Sequence, residues 1–232
     1  MAYDSGYIDA VMGCLVQERN MDIIANNLAN ATTAGFKGDR LIFNDLMTRQ
    51  VQTNHDQGSL QHTGNPLDVA IVGRGFFQVQ TPNGIRLTRN GALHMNAEGV
   101  LVDGNGNPVL GEGGQGITLN PNGPAVSIGA DGTVMQGRET VGKLSVVDVT
   151  DKALLMKEGA NFFTGRGGKT PPVTPVEGAG VEQGYLETTN IQVAREMVDM
   201  IQTFRAFESY QKIIHSIQAM DNSCINRVGR SA

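Results

Sequence analysis

The sequence lacks the features of a membrane-spanning, nucleic-acid-binding or disulfide-rich protein. No apolar run approaches the roughly 20 residues that a helix needs to cross a bilayer. The net charge is -5 over 232 residues, and both signs are scattered, so no basic stripe offers a surface to nucleic acid. Two cysteines are too few for a disulfide framework. The 40% hydrophobic share predicts a soluble chain that buries a core.

A secretory signal is also missing from the N-terminus. Met1 to Ser5 contain no basic residue, and the apolar positions that follow are interrupted by Asp9, Gln17 and Glu18. This pattern differs from the basic and then apolar regions of a signal peptide. We therefore expect no cleaved signal.

Patterns for catalysis and cofactor binding are weak. The segment Gly73 to Gln78 lacks the third glycine of a dinucleotide-binding loop, and no phosphate-binding Gly-Lys-Ser or Gly-Lys-Thr occurs. No nucleophile, base and orienting partner can be nominated for a hydrolase. We expect neither an enzyme nor a cofactor.

Two segments superficially resemble metal sites. Asp103 and Asn105 imitate the start of a calcium loop, but Pro108 stands where that loop needs glycine. His55 and His62 are close in a polar stretch, where solvated side chains are the default expectation. A turn and a solvated loop are the favoured interpretations, and we expect no metal site.

Helical patterns occupy only the two ends of the chain, from about Asp4 to Asn30 and from about Thr189 to Asn226. Between Gly58 and Gly184 lie 25 of the 30 glycines, with repeated turn pairs such as Asn83-Gly84 separating short apolar runs. The predicted fold class is α+β, with terminal helices and a central Gly-rich antiparallel β domain.

The predicted division of the chain has four parts. Residues 1–30 form the first helix, and residues 31–67 form an extended connection with little apolar periodicity. Residues 68–184 form the β domain, and residues 185–232 contain the last helix.

Cys14 and Cys224 fall near opposite ends of the chain, so an antiparallel helix pair could bring them to similar heights. They are either buried small side chains or a conceivable disulfide.

Each terminal helix carries apolar residues on more than one face at 100° per residue. One neighbouring helix could not cover both faces, so other subunits are expected to cover the rest. The alternative is a two-helix hairpin packed onto the β domain of the same monomer. The residues expected to mediate self-association are Ile8, Val11, Leu15, Met21, Ile24, Leu28, Met197, Ile201, Phe204, Phe207, Tyr210, Ile214 and Ile217.

Three sequence blocks follow one another along the chain, from Asn26 to Lys37, from Asp68 to Gly91 and from Gly184 to Ile201. Their motif positions are Asn26, Asn27, Leu28, Ala29, Asn30, Gly35, Phe36, Lys37, Gly73, Gly75, Phe76 and Asn190. In this order, the three blocks resemble the bacterial flagellar rod and hook proteins.

This resemblance implies a structural subunit whose terminal helices form a coiled coil and stack with helical symmetry into a hollow, torque-transmitting rod across the periplasm. It implies partners that are copies of the chain, neighbouring rod or hook subunits and the flagellar export apparatus. The short connection from Met47 to Asp68 is most similar to the proximal rod type. A distal rod or hook subunit is the alternative within the family, and a filament-borne adhesive or scaffolding module is the alternative outside it.

Two interpretations of the Asn26 to Lys37 block remain open. Asn30 or Gly35 could end the first helix in the left-handed conformation. Alternatively, the block forms an elbow at which Phe36 packs on a neighbouring subunit.

Overall fold

The structure is a computed structural model that describes residues 2–43, 49–176, 178 and 180–228; the side chains of residues 2–5, 43, 49, 221 and 224–228 lie outside this description. The chain forms two compact units. The helical unit comprises residues 1–29, 39–53 and 191–232, and the β unit comprises residues 30–38 and 54–190.

The helical unit contains two long helices and a hairpin. Among the described residues, the helices are α1, Ala2–Ala29, and α2, Val193–Val228. The hairpin strands β1, Asp39–Phe43, and β2, Arg49–Thr53, pair antiparallel. Helices at both ends were predicted and are confirmed, although α2 begins four residues after the expected Thr189. Neither described helix has the length and apolarity to cross a bilayer.

The two helices pack against each other in antiparallel orientation. Near the middle of α1, Gly13 faces the ring of Tyr210, so closely that a Cβ at Gly13 would lie 2.4 Å from Tyr210 Cε1. Near its end, Asn27 Nδ2 donates a hydrogen bond to Glu196 Oε2 at 3.3 Å. Residue numbers therefore increase along α1 in the direction in which they decrease along α2.

The β unit is built from short strands, and every pairing between its described strands is antiparallel, as predicted. The strands are β3 Leu60–His62, β4 Val69–Val72, β5 Phe76–Thr81, β6 Gly84–Thr88, β7 His94–Met95, β8 Leu101–Val102, β9 Val126–Ile128, β10 Thr133–Gln136, β11 Glu139–Lys143, β12 Val146–Asp148, β13 Met156–Glu158, β14 Phe162–Thr164, β15 Thr174–Pro175, β16 Gly180–Gln183 and β17 Tyr185–Glu187. Short 3-10 turns cover Lys152–Leu154 and Arg166–Gly168.

Among the described residues, the largest sheet has the strand order β13-β14-β6-β5-β12-β15, and a second sheet has the order β11-β10-β9. Strand β5 supplies both hydrophobic cores because successive side chains of a strand point to opposite faces. Phe77 and Val79 join the larger core, whereas Phe76 joins a smaller one with Leu87 and Phe163. The sheet is thus covered on both faces around β5.

The predicted extended connection, residues 31–67, is divided differently in the structure. Residues 39–53 belong to the helical unit, where they form the β1-β2 hairpin, and the flanking residues belong to the β unit. The sequence analysis missed this hairpin because its strands lack a regular alternation of apolar and polar residues. They are held instead by backbone pairing and by contact of β1 with α1. Residues 44–48 of the predicted connection lie outside the described residues.

Candidate functional site

Each helix of the helical unit exposes an apolar stripe. On α1, the side chains of Ile8, Met12 and Leu15 are 50 to 56% exposed. On α2, those of Met197, Ile201 and Phe204 are 49 to 54% exposed. Scattered exposed apolar residues are ordinary, but rows at helical spacing mark surfaces that bind another protein. We call these two rows the exposed stripes.

The other predicted apolar faces point into the helical unit, where α1 contacts both α2 and β1. On α1, Ile24 is buried, while Met21 and Leu28 are partly buried. On α2, the partly buried residues that follow heptad spacing are Met200, Phe207, Tyr210, Ile214 and Ile217, and Val11 of α1 is also partly buried. The helix pair thus covers one face of each helix and leaves the exposed stripes uncovered.

The two cysteines are not brought to similar heights by this helix pair. Cys14 is a partly buried free thiol beside Gly13, which faces Tyr210. Position 224 lies about 21 Å farther along α2 than Tyr210, at 1.5 Å per residue. A disulfide needs Cα atoms within about 7 Å. The side chain of Cys224 lies outside the described residues.

A second site lies inside the β unit, where three of the sequence blocks meet. Glu187 at the end of β17 accepts hydrogen bonds from Lys37 Nζ at 2.5 Å and from Arg89 Nη1 at 3.1 Å. Their side chains are 0%, 1% and 3% exposed. The Gly58 amide donates a further bond to Glu187 Oε1 at 2.8 Å. We call Lys37, Arg89 and Glu187 the buried ion cluster.

Two cations share one carboxylate in this cluster, so backbone oxygens complete it. Lys37 Nζ also donates to the Asp56 carbonyl at 2.6 Å, and Arg89 Nη2 donates to the Gly73 carbonyl at 2.7 Å. Burial lowers the pKa of both cations, whereas the Glu187 carboxylate raises it. Burial is the larger effect. The Glu187 carboxylate therefore offsets part of the desolvation cost of burying the two positive charges of Lys37 and Arg89.

The block around Gly35 is packed within its own chain. Gly35 adopts a left-handed backbone, with φ of 69°, but it lies in a turn beyond α1 and does not cap the helix. Its amide donates to the Glu187 carbonyl at 2.8 Å. Phe36 is 1% exposed, and Lys157 Nζ lies 3.9 Å from its ring centroid. The expectation that Phe36 packs on a neighbouring subunit is therefore wrong, because its ring is already covered.

The side-chain amides of two motif asparagines bond to backbone N–H and C=O groups, as a neighbouring strand would do. Asn27 binds both backbone groups of Asp39, donating to its carbonyl at 2.8 Å and accepting from its amide at 2.9 Å. Asn190 accepts from the Gly38 amide at 2.9 Å and donates to the Asn54 carbonyl at 2.9 Å. Sequence reasoning treated the asparagine block as a helix end and missed these roles, because the bonded segments are distant along the chain.

The turn between β4 and β5, in the second sequence block, contains two glycines of the motif. Gly73 and Gly75 both have positive φ, 91° and 125°. A Cβ at Gly75 would come within 2.7 Å of Val146 Cγ1, so glycine is needed there for packing as well as for conformation. Phe76 follows directly and is buried in the smaller core. The Gly73 carbonyl of this turn holds the Arg89 guanidinium through a hydrogen bond.

The calcium-like segment is a turn. Asp103 is buried, and its carboxylate accepts from the amides of Asn105 and Asn107, each at 2.8 Å. It also accepts from Asn107 Nδ2 at 3.0 Å, so its oxygens are already bonded. Within the described residues, no three His, Cys, Asp or Glu side chains gather as a metal site.

Comparison with known families matches three regions of the chain. The flagellar basal body rod protein model matches residues 16–37, the flagellar hook protein FlgE/F/G D1 domain matches residues 70–136, and the flagellar basal body rod FlgEFG protein C-terminal model matches residues 182–228. Each matched region supplies one member of the buried ion cluster.

Similar proteins cover most of the chain. Flagellar basal-body rod protein FlgF of Caulobacter vibrioides is 36% identical across 91% of this chain and 93% of its own length. The chain belongs to the flagellar basal-body rod protein family. FlgG of Buchnera aphidicola subsp. Schizaphis graminum is 37% identical across 90% of this chain and 94% of its own, and FlgF of Mesorhizobium japonicum is 33% identical across 97% and 98%.

Membership of the rod protein family confirms the resemblance identified from the three sequence blocks. Several motif residues stabilise the fold of the chain itself, since Gly35, Lys37 and Asn190 all make hydrogen bonds within the β unit. The exposed stripes lie on residues outside the motif list. Motif positions and candidate assembly positions of this rod protein are therefore largely separate sets.

Replacing Gly35 with Ala should lower the free energy of unfolding by about 3 kcal/mol or more. Positive φ alone costs an L-residue about 1–2 kcal/mol, and overpacking adds about 1–3 kcal/mol. A Cβ here would lie 2.5 Å from the backbone carbonyl carbon of Arg89. Urea titration of the purified chain measures the loss.

Gly106→Ala is the matched control for this rod protein. Gly106 has a φ of 82°, and a Cβ there would meet nothing within 4 Å. It should show only the conformational cost of about 1–2 kcal/mol. Equal losses in the two variants would mean that the close approach of Gly35 to Arg89 contributes nothing.

Proposed function

We propose that the chain is a structural subunit of the flagellar basal-body rod that self-assembles through α1 and α2 into a helical tube. The observation that carries this proposal is the pair of exposed stripes, which remain uncovered after the helices have packed on each other. Family membership supplies the assembly to which such surfaces belong.

The position of the stripes favours a helical assembly. The α1 stripe and the α2 stripe differ in sequence and shape, so each needs a different complement on another subunit. Contacts between unlike patches are heterologous and extend into open helical assemblies when the rotation does not close a ring. We propose that α1 and α2 form the coiled-coil wall, with the heptad face of α2 against α1 and the stripes against neighbouring copies.

The energy available from the stripes is adequate for assembly. Each of six side chains, Ile8, Met12, Leu15, Met197, Ile201 and Phe204, has about half of its surface left to bury. Burying the rest of one such side chain contributes roughly 1 kcal/mol. A subunit with several neighbours gains this free energy at each stripe. Contacts that are weak between two isolated copies therefore become stable in an assembly in which each copy makes several of them.

Within the family, we propose the proximal rod type. The alignment with FlgF of Caulobacter vibrioides spans 229 residues to cover 91% of this chain. The alignment with FlgG of Buchnera aphidicola subsp. Schizaphis graminum needs 247 residues to cover 90%. FlgG of Bacillus subtilis likewise needs 246 residues for 90%. This chain thus lacks inserted residues that FlgG relatives carry, in keeping with its short connection before Asp68.

The proposed partners are copies of this chain, adjoining rod and hook subunits and the flagellar export apparatus. The proposed location is the periplasmic rod of the basal body. Support comes from the rod family of the relatives.

Deleting residues 189–232 should abolish polymer formation, because this removes α2 with its stripe and its heptad face. Sedimentation and negative-stain electron microscopy would compare the deletion with the full chain, which should form hollow rods. Circular dichroism should retain the β signal of the truncated protein. Polymers of unchanged form from the truncated chain would sink the proposal.

A further inference from the structure

His55 occupies an unusual position inside the β unit. The sequence predicted a solvated histidine in a polar loop, but the ring packs against two phenylalanines. Its centroid lies 5.4 Å from that of Phe163 and 6.0 Å from that of Phe76, in tilted and edge-on orientations. Its Nδ1 atom is buried and has no hydrogen-bond partner among the described residues. His55 is only partly buried as a whole, but its ring packs against two residues of the smaller core.

The residues next to His55 connect it to the buried ion cluster. The Asp56 carbonyl accepts from Lys37 Nζ at 2.6 Å and from Asn190 Nδ2 at 3.0 Å. The Gly58 amide donates to Glu187. Gln57 bridges the Ile71 carbonyl and the Gly73 amide, each at 2.9 Å. The 54–58 segment is thus held by its histidine ring on one side and by these bonds on the other.

Charges around the ring oppose its protonation. Lys37 precedes β1, Arg89 follows β6, Lys152 lies in a 3-10 turn and Lys157 lies in β13, and all four raise the cost of a positive charge at His55. The nearby carboxylate of Glu187 is already bonded to Lys37 and Arg89. A protonated ring would therefore bury a new charge and an N–H donor without an acceptor.

We propose that His55 makes the 54–58 segment an acid-sensitive latch on the β unit. The neutral ring holds the segment against Phe76 and Phe163, and protonation expels the ring. The segment then withdraws the Asp56 carbonyl from Lys37 and Asn190, and the Gly58 amide from Glu187. All of these groups belong to the β unit.

The expected pH window follows from the direction of the shift. Burial, and then the four cations, lower the pKa of His55 from 6.5 to about 4. The released ring binds a proton below about pH 6.5, whereas the packed ring does so only below about 4. The contribution of His55 to the stability of the closed latch is therefore fully present above pH 6.5. It decreases as the pH falls and is lost below about pH 4. From pH 7 to pH 5, the equilibrium ratio of closed to open molecules should fall about 20-fold.

Amide hydrogen exchange of the full chain at pH 7 and pH 5, corrected for intrinsic rates, measures this opening. Protection of residues 54–58 should fall about 20-fold in the natural chain. It should stay constant in His55→Phe, which cannot titrate, and fall normally in His94→Gln, which changes an exposed histidine of the same unit. Equal protection at both pH values in the natural chain, or an undiminished fall in His55→Phe, would overturn the latch.

A direct titration keeps the test decisive if His55→Phe does not fold. The ring of His55 in the natural chain can be followed by its proton chemical shift, assigned by comparison with His55→Gln. A midpoint below pH 5.5 supports the latch. A midpoint between 6 and 7 contradicts it, because the packed and released rings would then bind protons equally.

Discussion

Replacing Glu187 with Gln should destabilise the chain by about 3–5 kcal/mol, the usual cost of removing one partner from a buried ion pair. The change keeps the side-chain shape but leaves Lys37 and Arg89 buried without their carboxylate. Lys37 can respond by releasing its proton, since burial already lowers its pKa. Arg89 cannot lose its proton near neutral pH, so its charge remains. Urea titration gives the free energy of unfolding.

Glu182→Gln provides the matched control. Glu182 is an exposed residue of β16, in the strand just before β17, and the change is chemically identical. Surface substitutions of this kind usually change stability by less than about 0.5 kcal/mol. If Glu187→Gln behaves like Glu182→Gln, the buried ion cluster does not stabilise the fold.

A double variant separates the charge effect from a loss of packing. Lys37→Met with Glu187→Gln removes two of the three charges and leaves only Arg89 uncompensated. Its destabilisation should be smaller than the sum of the two single changes by about 1 kcal/mol or more, because contacting residues are not additive. A strictly additive result would assign the loss to packing instead of charge.

Replacing Phe204 with Asp should prevent assembly while leaving the monomer folded. The ring is half-exposed in the single chain, so its loss costs little fold stability. In the proposed lattice the same position is buried, and an unpaired carboxylate there would cost several kcal/mol at every contact. The critical concentration for polymer formation should rise by at least 100-fold, as measured by sedimentation. Circular dichroism of the soluble fraction should match the natural chain.

Ser209→Asp adds the same charge to α2 on another side of the helix. Ser209 is exposed and lies about 140° from Phe204 at 100° per residue. It should change the critical concentration far less than Phe204→Asp. Equal inhibition by both variants would indicate general charge repulsion and would contradict a specific role for the α2 stripe.

Local sequence patterns predict the parts of this structure that depend on neighbouring residues. Helical periodicity predicts α1 and α2, and recurring glycine turns predict the short antiparallel strands. The heptad face of α2 is visible for the same reason, because its spacing is a property of one helix. The β1-β2 hairpin escapes this reasoning, since its strands carry little apolar alternation and depend on contact with α1.

The buried ion cluster could not be predicted from local patterns. Lys37 and Glu187 are 150 positions apart, and Arg89 is 98 positions from Glu187. Nothing in the residues around any of them indicates a partner of opposite charge. The asparagines have the same difficulty, because Asn190 bonds to Gly38 across 152 positions. Their value as side chains that replace backbone partners appears only when the segments meet.

The sequence by itself determined that helices lie at both ends, that antiparallel strands lie between them and, through three ordered motif blocks, that the chain is a rod family protein. Only the tertiary structure decided which helix faces are covered within the chain and which remain exposed. It also showed that Phe36, one interpretation of which was a contact with a neighbouring subunit, is an internal residue. The reason is physical: periodicity reports which side chains avoid water, whereas the identity of the covering surface depends on contacts between distant segments.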